Sequence, residues 1–129
     1  MKVAITVLLM LFCSSCAYAE AIKDYDAIRA IIGEASSDGL SGMRCVASAI
    51  RNRGTLKGVY GLKAKHVDRE PEWVWKLAKQ AWLESKITDF ANGASFWEGK
   101  SFKEPYWVKS MVLVKETKQQ LFYKPKAKK

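Results

Sequence analysis

The chain has 129 residues, a length typical of a single domain with one modest core, which disfavours a multidomain enzyme. Its 22 Lys and Arg residues outnumber its 13 Asp and Glu residues, and the formal net charge of +9 indicates an anionic partner. The sequence has no internal repeat and no low-complexity linker, so we expect one domain, and we expect it to be monomeric.

The first 19 residues have the features of a secretory signal peptide. A basic residue precedes an apolar run over residues 3–12, and the small residues that signal peptidase requires end at Ala19. Cleavage before Glu20 would give an exported protein, either periplasmic or extracellular. The apolar run is shorter than the ~20 residues that cross a bilayer core, which disfavours retention as a membrane helix. Lipidation of Cys16 is a further alternative that the sequence leaves open.

Removal of this leader would leave Cys45 as the one cysteine, so no internal disulfide is expected. Cys45 lies in an apolar run and is predicted to be a core residue. One histidine and one cysteine are too few for the usual zinc ligand sets, so we expect no metal and no cofactor, and a zinc amidase is disfavoured. In an exported protein, the positive charge favours anionic envelope polymers over nucleic acid.

Two helices are predicted in the first half of the exported chain. Apolar residues at helical spacing predict a helix over residues 25–34, with Asp24 capping its start. A polar turn then precedes a second helix over residues 40–53, and Gly54 is placed to end it.

A loop and a third helix follow. Residues 55–69 contain glycines and lysines without a sustained period, which predicts a basic surface loop. Pro71 then begins a third helix, because proline is well tolerated in a first helical turn, and this helix should end near Ser85.

The last third of the chain is predicted to be mostly non-helical. Residues 89–107 combine glycine, proline and a high density of aromatic residues, which favours a ligand-facing loop. Residues 111–114 and 120–123 are predicted to pair as short strands, although a helix is an alternative. Residues 124–129 are predicted to form a frayed basic tail.

Glu34 is the strongest candidate for a catalytic residue, because it stands where an apolar helix face meets a polar turn. Apolar neighbours disfavour the charged form of a carboxyl group, and a protonated glutamic acid can donate its proton to a glycosidic oxygen. The alternative is a solvated charge at the end of a helix, and spacing alone favours that alternative.

Several motifs, taken together and in order, resemble the SleB-like cell wall hydrolase family. The motifs are Ile32-Gly33-Glu34-Ala35, a helix ending in Asn52-Arg53, Ala81-Trp82, Asn92-Gly93-Ala94, Phe96-Trp97, Trp107 and Leu121-Phe122-Tyr123. The resemblance implies a mainly α, or α+β, lysozyme-like domain over residues 20–123, with a possible short C-terminal hairpin. It also implies cleavage of the glycan strands of peptidoglycan, with Glu34 as the catalytic glutamate.

The reaction type depends on whether a second carboxyl group takes part. Glycosidases normally use two, and Asp38 and Asp89 are the candidates, although each is also explained as a turn or cap residue. A single acid fits lytic transglycosylation, in which Glu34 protonates the leaving oxygen and then acts as a base toward the muramic 6-hydroxyl. Hydrolysis of the muramidase type is the alternative.

The candidates for substrate binding are Asn52, Asn92, Phe96, Trp97 and Tyr123. Aromatic rings offer flat faces to sugars, but a small domain also needs large aromatic side chains for its core. The amide of Asn52 could equally cap locally at the helix end. Asn92 replaces the first glycine of the family's Gly-Gly-Ala, and asparagine adopts left-handed backbone conformations more readily than most residues.

Two further functions are weighed against catalysis. A non-catalytic envelope protein would bind peptidoglycan through its basic and aromatic side chains, and its binding would be insensitive to Glu34. A secreted nucleic-acid binder depends on charge alone. The sequence leaves open whether an enzyme of this kind would remodel the wall of its own cell or serve in phage lysis.

Overall fold

The computed structural model describes residues 21–127. Three α-helices precede a three-stranded antiparallel sheet, so the expectation of an α+β fold is confirmed. The predicted signal peptide and the lipidation of Cys16 lie outside the described residues. Across residues 21–127, the helices are all too short or too polar to cross a membrane.

Helix α1 spans Asp24–Ala35 and buries one face of small and branched residues against the rest of the domain. The predicted cap is wrong, because Lys23 occupies the N-cap position and no side chain caps the helix. Asp24 instead accepts a hydrogen bond of 2.7 Å at Oδ1 from the indole Nε1 of Trp82. This bond joins the first helix to the third.

Helix α2 spans Gly39–Arg53 and is the central element of the core. Gly54 ends it as predicted, with φ of 76° and its N–H donating to the carbonyl of Ile50. Cys45 is 2 % exposed, which confirms the prediction of a core residue. Burial raises the pKa of its thiol, and the Sγ–H donates to the carbonyl of Phe90 at 3.4 Å. This cysteine therefore serves packing.

The segment between α2 and the next helix is more ordered than predicted. It forms two 3₁₀ helices, Tyr60–Lys63 and Lys65–Arg69, and it buries Val59, Gly61 and Val67 in the core. The prediction of a surface loop is wrong for these residues. It failed because exposed residues, Tyr60 and two lysines, lie between the three buried positions, which show no regular period.

Helix α3 spans Glu72–Glu84 directly after Pro71, as predicted. It packs on both α1 and α2 and buries Val74, Ala78, Ala81 and Trp82. The guanidinium carbon of Arg51 lies 3.6 Å from the centre of the Trp82 ring system, so α2 and α3 are also joined by a cation–π contact.

The sheet has the order β1–β3–β2, with β1 at Phe96–Gly99, β2 at Met111–Glu116 and β3 at Gln120–Pro125. The predicted hairpin of β2 and β3 is confirmed. Strand β1 lies in the region predicted as a loop, so that prediction is wrong for Phe96–Gly99. Strand β3 also continues through Lys124 and Pro125, which shortens the predicted basic tail.

Candidate functional site

A groove of about 800 Å³ opens between the end of α1, the 3₁₀ helix Tyr60–Lys63 and strand β1. Residues from the loop after β1 form its far wall. Its lining combines charged and aromatic side chains, among them Glu34, Arg53, Tyr60, Trp97, Glu98 and Trp107.

Glu34 is half-buried, and both oxygens of its carboxyl group accept hydrogen bonds. The backbone N–H of Gly61 donates to Oε1 at 2.9 Å, and the indole Nε1 of Trp97 donates to Oε2 at 3.2 Å. The expectation of a solvated charge is therefore wrong. Each oxygen retains a lone pair that can accept a proton or a substrate hydroxyl.

A close approach between two glycines brings the Gly61 N–H to Glu34. A Cβ atom on Gly33 would lie 2.0 Å from the Gly61 carbonyl oxygen, and one on Gly61 would lie 2.7 Å from Cγ of Glu34. Neither contact is tolerable, so glycine is required at both positions. Gly61 was missed by sequence reasoning, because a single glycine in a lysine-rich segment carries no sign of a distant partner.

Glu98 on β1 lines the same groove and was also missed. Burial raises the pKa of its carboxyl group, and the negative charge of Glu34 raises it further, while a hydrogen bond from the backbone of Gly99 acts in the opposite direction. The groove therefore contains two carboxyl groups that interact. Recognising β1 as a strand would have drawn attention to Glu98, because residues two apart in a strand share a face and Glu98 lies two residues after Phe96.

Neither of the two aspartates considered as a second carboxylate lines the groove. Asp89 accepts hydrogen bonds from the backbone N–H groups of Ala91 at 2.9 Å and Gly93 at 2.8 Å, so it is a turn residue. Asp38 accepts a hydrogen bond from the hydroxyl of Thr117 and packs against Gly42. Both aspartates hold chain segments together.

Three of the aromatic candidates are neighbours, but they have different surroundings. Phe96 and Trp97 line the groove, whereas Tyr123 lies beneath it and is 6 % exposed. Tyr123 packs edge-on against Trp107, with ring centres 5.5 Å apart, so the structure places it in the supporting layer.

The two asparagine candidates lie outside the groove lining. The amide of Asn52 donates to the carbonyl of Ala94 at 2.9 Å and to Asp89 at 3.2 Å, so it fixes the turn before β1. Asn92 has φ of 51°, which confirms that asparagine supports a left-handed turn here, and its amide donates to the carbonyl of Val114 at 3.1 Å. Both side chains are used within the protein.

Arg53 is a groove residue that sequence reasoning included in a motif but gave no role. Its guanidinium carbon lies 5.1 Å from the centre of the Phe96 ring. Within residues 21–127, no three His, Cys, Asp or Glu side chains come together as a cluster that could hold a metal ion.

No family model matches the sequence, and comparison with curated proteins and with solved structures finds no similar protein.

Proposed function

We propose that the protein is an exported enzyme that cleaves the glycan strands of peptidoglycan, with Glu34 as its catalytic residue. The observation that carries the proposal is the carboxyl group of Glu34, which is held by a donor on each oxygen inside a groove rich in aromatic side chains. The lysozyme-like fold and membership of the SleB-like family are part of this proposal, and the ordered sequence motifs support them.

The aromatic side chains of the groove suit a polysaccharide. Trp97 and Trp107 lie in its wall, while Tyr60, Phe102 and Tyr106 stand exposed beside them. Exposed aromatic rings offer apolar faces on which the C–H faces of sugar rings can stack, while their edges remain in water. A row of such faces beside one fixed carboxyl group is an arrangement suited to a chain of sugars.

The hydrogen bonds of Glu34 fit a reaction in two halves. Protonated Glu34 donates its proton to the glycosidic oxygen as the bond to the anomeric carbon breaks. The carboxylate that results is stabilised by the N–H groups of Gly61 and Trp97. It then removes the proton of the muramic 6-hydroxyl as that oxygen bonds to the anomeric carbon, which gives an anhydro product.

Glu98 adds the second carboxyl group that the sequence analysis did not find. In the alternative reaction, the carboxylate of Glu98 removes a proton from a water molecule. The oxygen of that water then bonds to the anomeric carbon, which gives hydrolysis. The two outcomes differ by one water in the mass of the product. The single-acid reaction is our first choice, because Glu34 accepts hydrogen bonds from two distant segments, whereas Glu98 accepts one from its chain neighbour Gly99.

The test is release of soluble muropeptides from purified sacculi by the wild-type protein and by Glu34→Gln. We expect release by the wild type and a loss of at least about a hundredfold in Glu34→Gln, since general acid–base catalysis contributes roughly 10²–10⁴-fold. Product mass then distinguishes the two reactions, because anhydro products are lighter by one water than hydrolysed ones.

Glu72→Gln is the matched control, because this glutamate has a side chain 84 % exposed and lies outside the groove. It should release muropeptides at the wild-type rate. If Glu34→Gln is as active as the wild type, Glu34 is not catalytic. If neither protein releases products while both bind sacculi equally, the enzyme hypothesis is wrong and a non-catalytic envelope-binding protein takes its place.

A further inference from the structure

Arg53 has two close neighbours in the groove, Phe96 and Gly58. Its guanidinium group lies over the ring of Phe96, with the guanidinium carbon 5.1 Å from the ring centre. A Cβ atom on Gly58 would lie 2.9 Å from Nη2 of Arg53, so the end of the arginine side chain lies close to the backbone at Gly58. Gly58 also has a φ of +82°, which favours glycine. The guanidinium group therefore lies beside an aromatic ring of the groove wall.

No acidic side chain neutralises Arg53 within the part of the chain that the structure describes. The salt bridges found over residues 21–127 join four other pairs: Arg29 with Asp68, Arg44 with Glu84, Lys76 with Glu72, and Lys100 with Glu116. Glu34 and Glu98 line the same groove, but neither forms a salt bridge with Arg53. The charge of Arg53 is thus available to a ligand.

Arg51, two residues before Arg53, has the contacts expected of an arginine that only stabilises the fold. Arg51 donates to the carbonyl of Trp82 at 2.8 Å and to the hydroxyl of Ser85 at 2.5 Å, so its donors are used within the protein. A cation near a helix C-terminus is favourable wherever its side chain points. That effect does not explain why Arg53 lies on an aromatic face inside the groove.

We propose that Arg53 binds a carboxylate of the peptidoglycan stem peptide, and that it makes the groove selective for acid-bearing glycan over uncharged glycan. This inference depends on the proposed function for its choice of polymer. A guanidinium group presents paired N–H donors that match the two oxygens of a carboxylate. Arg53 lines the same groove as the carboxyl groups of Glu34 and Glu98, so its positive charge offsets any negative charge that they carry when an acidic stem approaches.

The experiment measures binding, with Glu34→Gln as the parent protein so that the polymer is not consumed. The variants are Arg53→Ala, Arg53→Lys and the control Lys63→Ala, which removes an exposed basic side chain outside the groove lining. Each is titrated against purified sacculi free of teichoic acid, against the same sacculi with their carboxyl groups amidated, and against chitin.

We expect Arg53→Ala to bind native sacculi about tenfold more weakly than the parent, as the loss of one charge-assisted contact predicts. Arg53→Lys should lie between them, because it keeps the charge without the planar donors. Lys63→Ala should stay within about twofold of the parent. Amidation should weaken the parent more than it weakens Arg53→Ala, by about the same factor that separates the two proteins on native sacculi, because the attraction to the exposed lysines is lost from both.

Three results would overturn the inference: equal weakening by Lys63→Ala and Arg53→Ala, the same loss on amidation for both the parent and Arg53→Ala, or equal affinity of the parent for chitin and sacculi. Comparison of chitin with sacculi uses the parent alone, so equal affinity would overturn the inference even if Arg53→Ala does not fold. Failure of the proposed function is seen separately, as absence of muropeptide release by the wild type.

Discussion

The two carboxyl groups of the groove lie in different surroundings, although they influence each other. Glu34 receives a hydrogen bond on each oxygen, from Gly61 and Trp97. Glu98 has its pKa raised first by burial and then by the charge of Glu34. Folding therefore makes the charged form of Glu98 less favourable than it is in water.

This difference predicts how stability depends on pH. Because the pKa of folded Glu98 lies above its ordinary value of 4.5, its contribution to stability is fully present below that value and is lost as the pH rises through the raised pKa. Glu98→Gln, which is neutral throughout, should therefore have a larger free energy of unfolding than the wild type at pH 7. Urea unfolding at a series of pH values should show the difference shrinking toward pH 4.5.

Glu104→Gln serves as the comparison, because it removes an exposed carboxylate from the loop that follows β1. Its unfolding curve should stay close to that of the wild type at both ends of the series. An equal gain at pH 7 in both variants would mean that the effect comes from the net charge of the molecule, and the local account of Glu98 would be wrong.

The turn between β2 and β3 is hydrogen-bonded to the junction between α1 and α2. The amide Nε2 of Gln120 donates to the carbonyl of Glu34 at 2.5 Å, and the hydroxyl of Ser37 donates to Oε1 of Gln119 at 2.7 Å. The hydroxyl of Thr117, which lies in the turn between β2 and β3, donates to Asp38 at the junction of the two helices. The hairpin therefore supports the helix end that presents the Glu34 carboxyl group to the groove.

Gln120→Met tests this support, because methionine has a similar length but cannot donate a hydrogen bond. Gln120 is 6 % exposed, and leaving its partner carbonyl unpaired should lower the free energy of unfolding by about 1–3 kcal/mol. A positioning role also predicts a fall in kcat of roughly tenfold with little change in KM, since misplacement affects the transition state most. Urea unfolding and the kinetics of muropeptide release measure the two effects.

The neighbouring Gln119→Met is the control, because Gln119 is exposed and its side chain accepts a hydrogen bond from the exposed Ser37, while its backbone bond to Lys100 is unaffected by the substitution. It should change the free energy of unfolding by less than about 0.5 kcal/mol and leave kcat unchanged. If both variants lose the same stability and keep the same kcat, Gln120 stabilises the hairpin without positioning Glu34.

The helices could be predicted from the sequence, whereas strand β1 could not. The helices and the end of α2 at Gly54 follow from local periodicity and local turn chemistry, so they were predicted close to their observed bounds. Strand β1 has four residues and exists because it pairs with β3, as in Phe96 opposite Tyr123. Local patterns do not show such a distant partner.

The residues of the candidate site divide in the same way, into those that local motifs reveal and those that only tertiary packing brings to the groove. Glu34, Phe96 and Trp97 were found from motifs, and the structure brings them to one groove. Gly61 and Glu98 reach that groove only through tertiary packing. Asn52 and Asn92 were expected to face substrate, but their amides are used to hold turns.

The positive net charge of the protein should attract it to an anionic polymer. The net charge of +9 includes many exposed lysines outside the groove, whereas the groove itself contains two carboxyl groups. Long-range attraction therefore comes from the outer surface, and contact selectivity comes from Arg53. These two contributions should respond differently to salt, because exposed charges are screened much more than a contact held against an aromatic ring.

Binding of the Glu34→Gln protein to sacculi should therefore weaken steadily as NaCl rises from about 0.1 M to about 1 M, as the Debye length falls from ~10 Å to ~3 Å. The ratio of its affinity to that of the same protein with Arg53→Ala should change much less, because the contact at Arg53 is short. Parallel lines on a plot of log affinity against log salt are the expected result.

Convergence of the two lines at high salt would show that Arg53 acts only as one more surface charge. Binding that does not respond to salt would mean that stacking on the groove's aromatic side chains, rather than charge, brings the polymer to the protein.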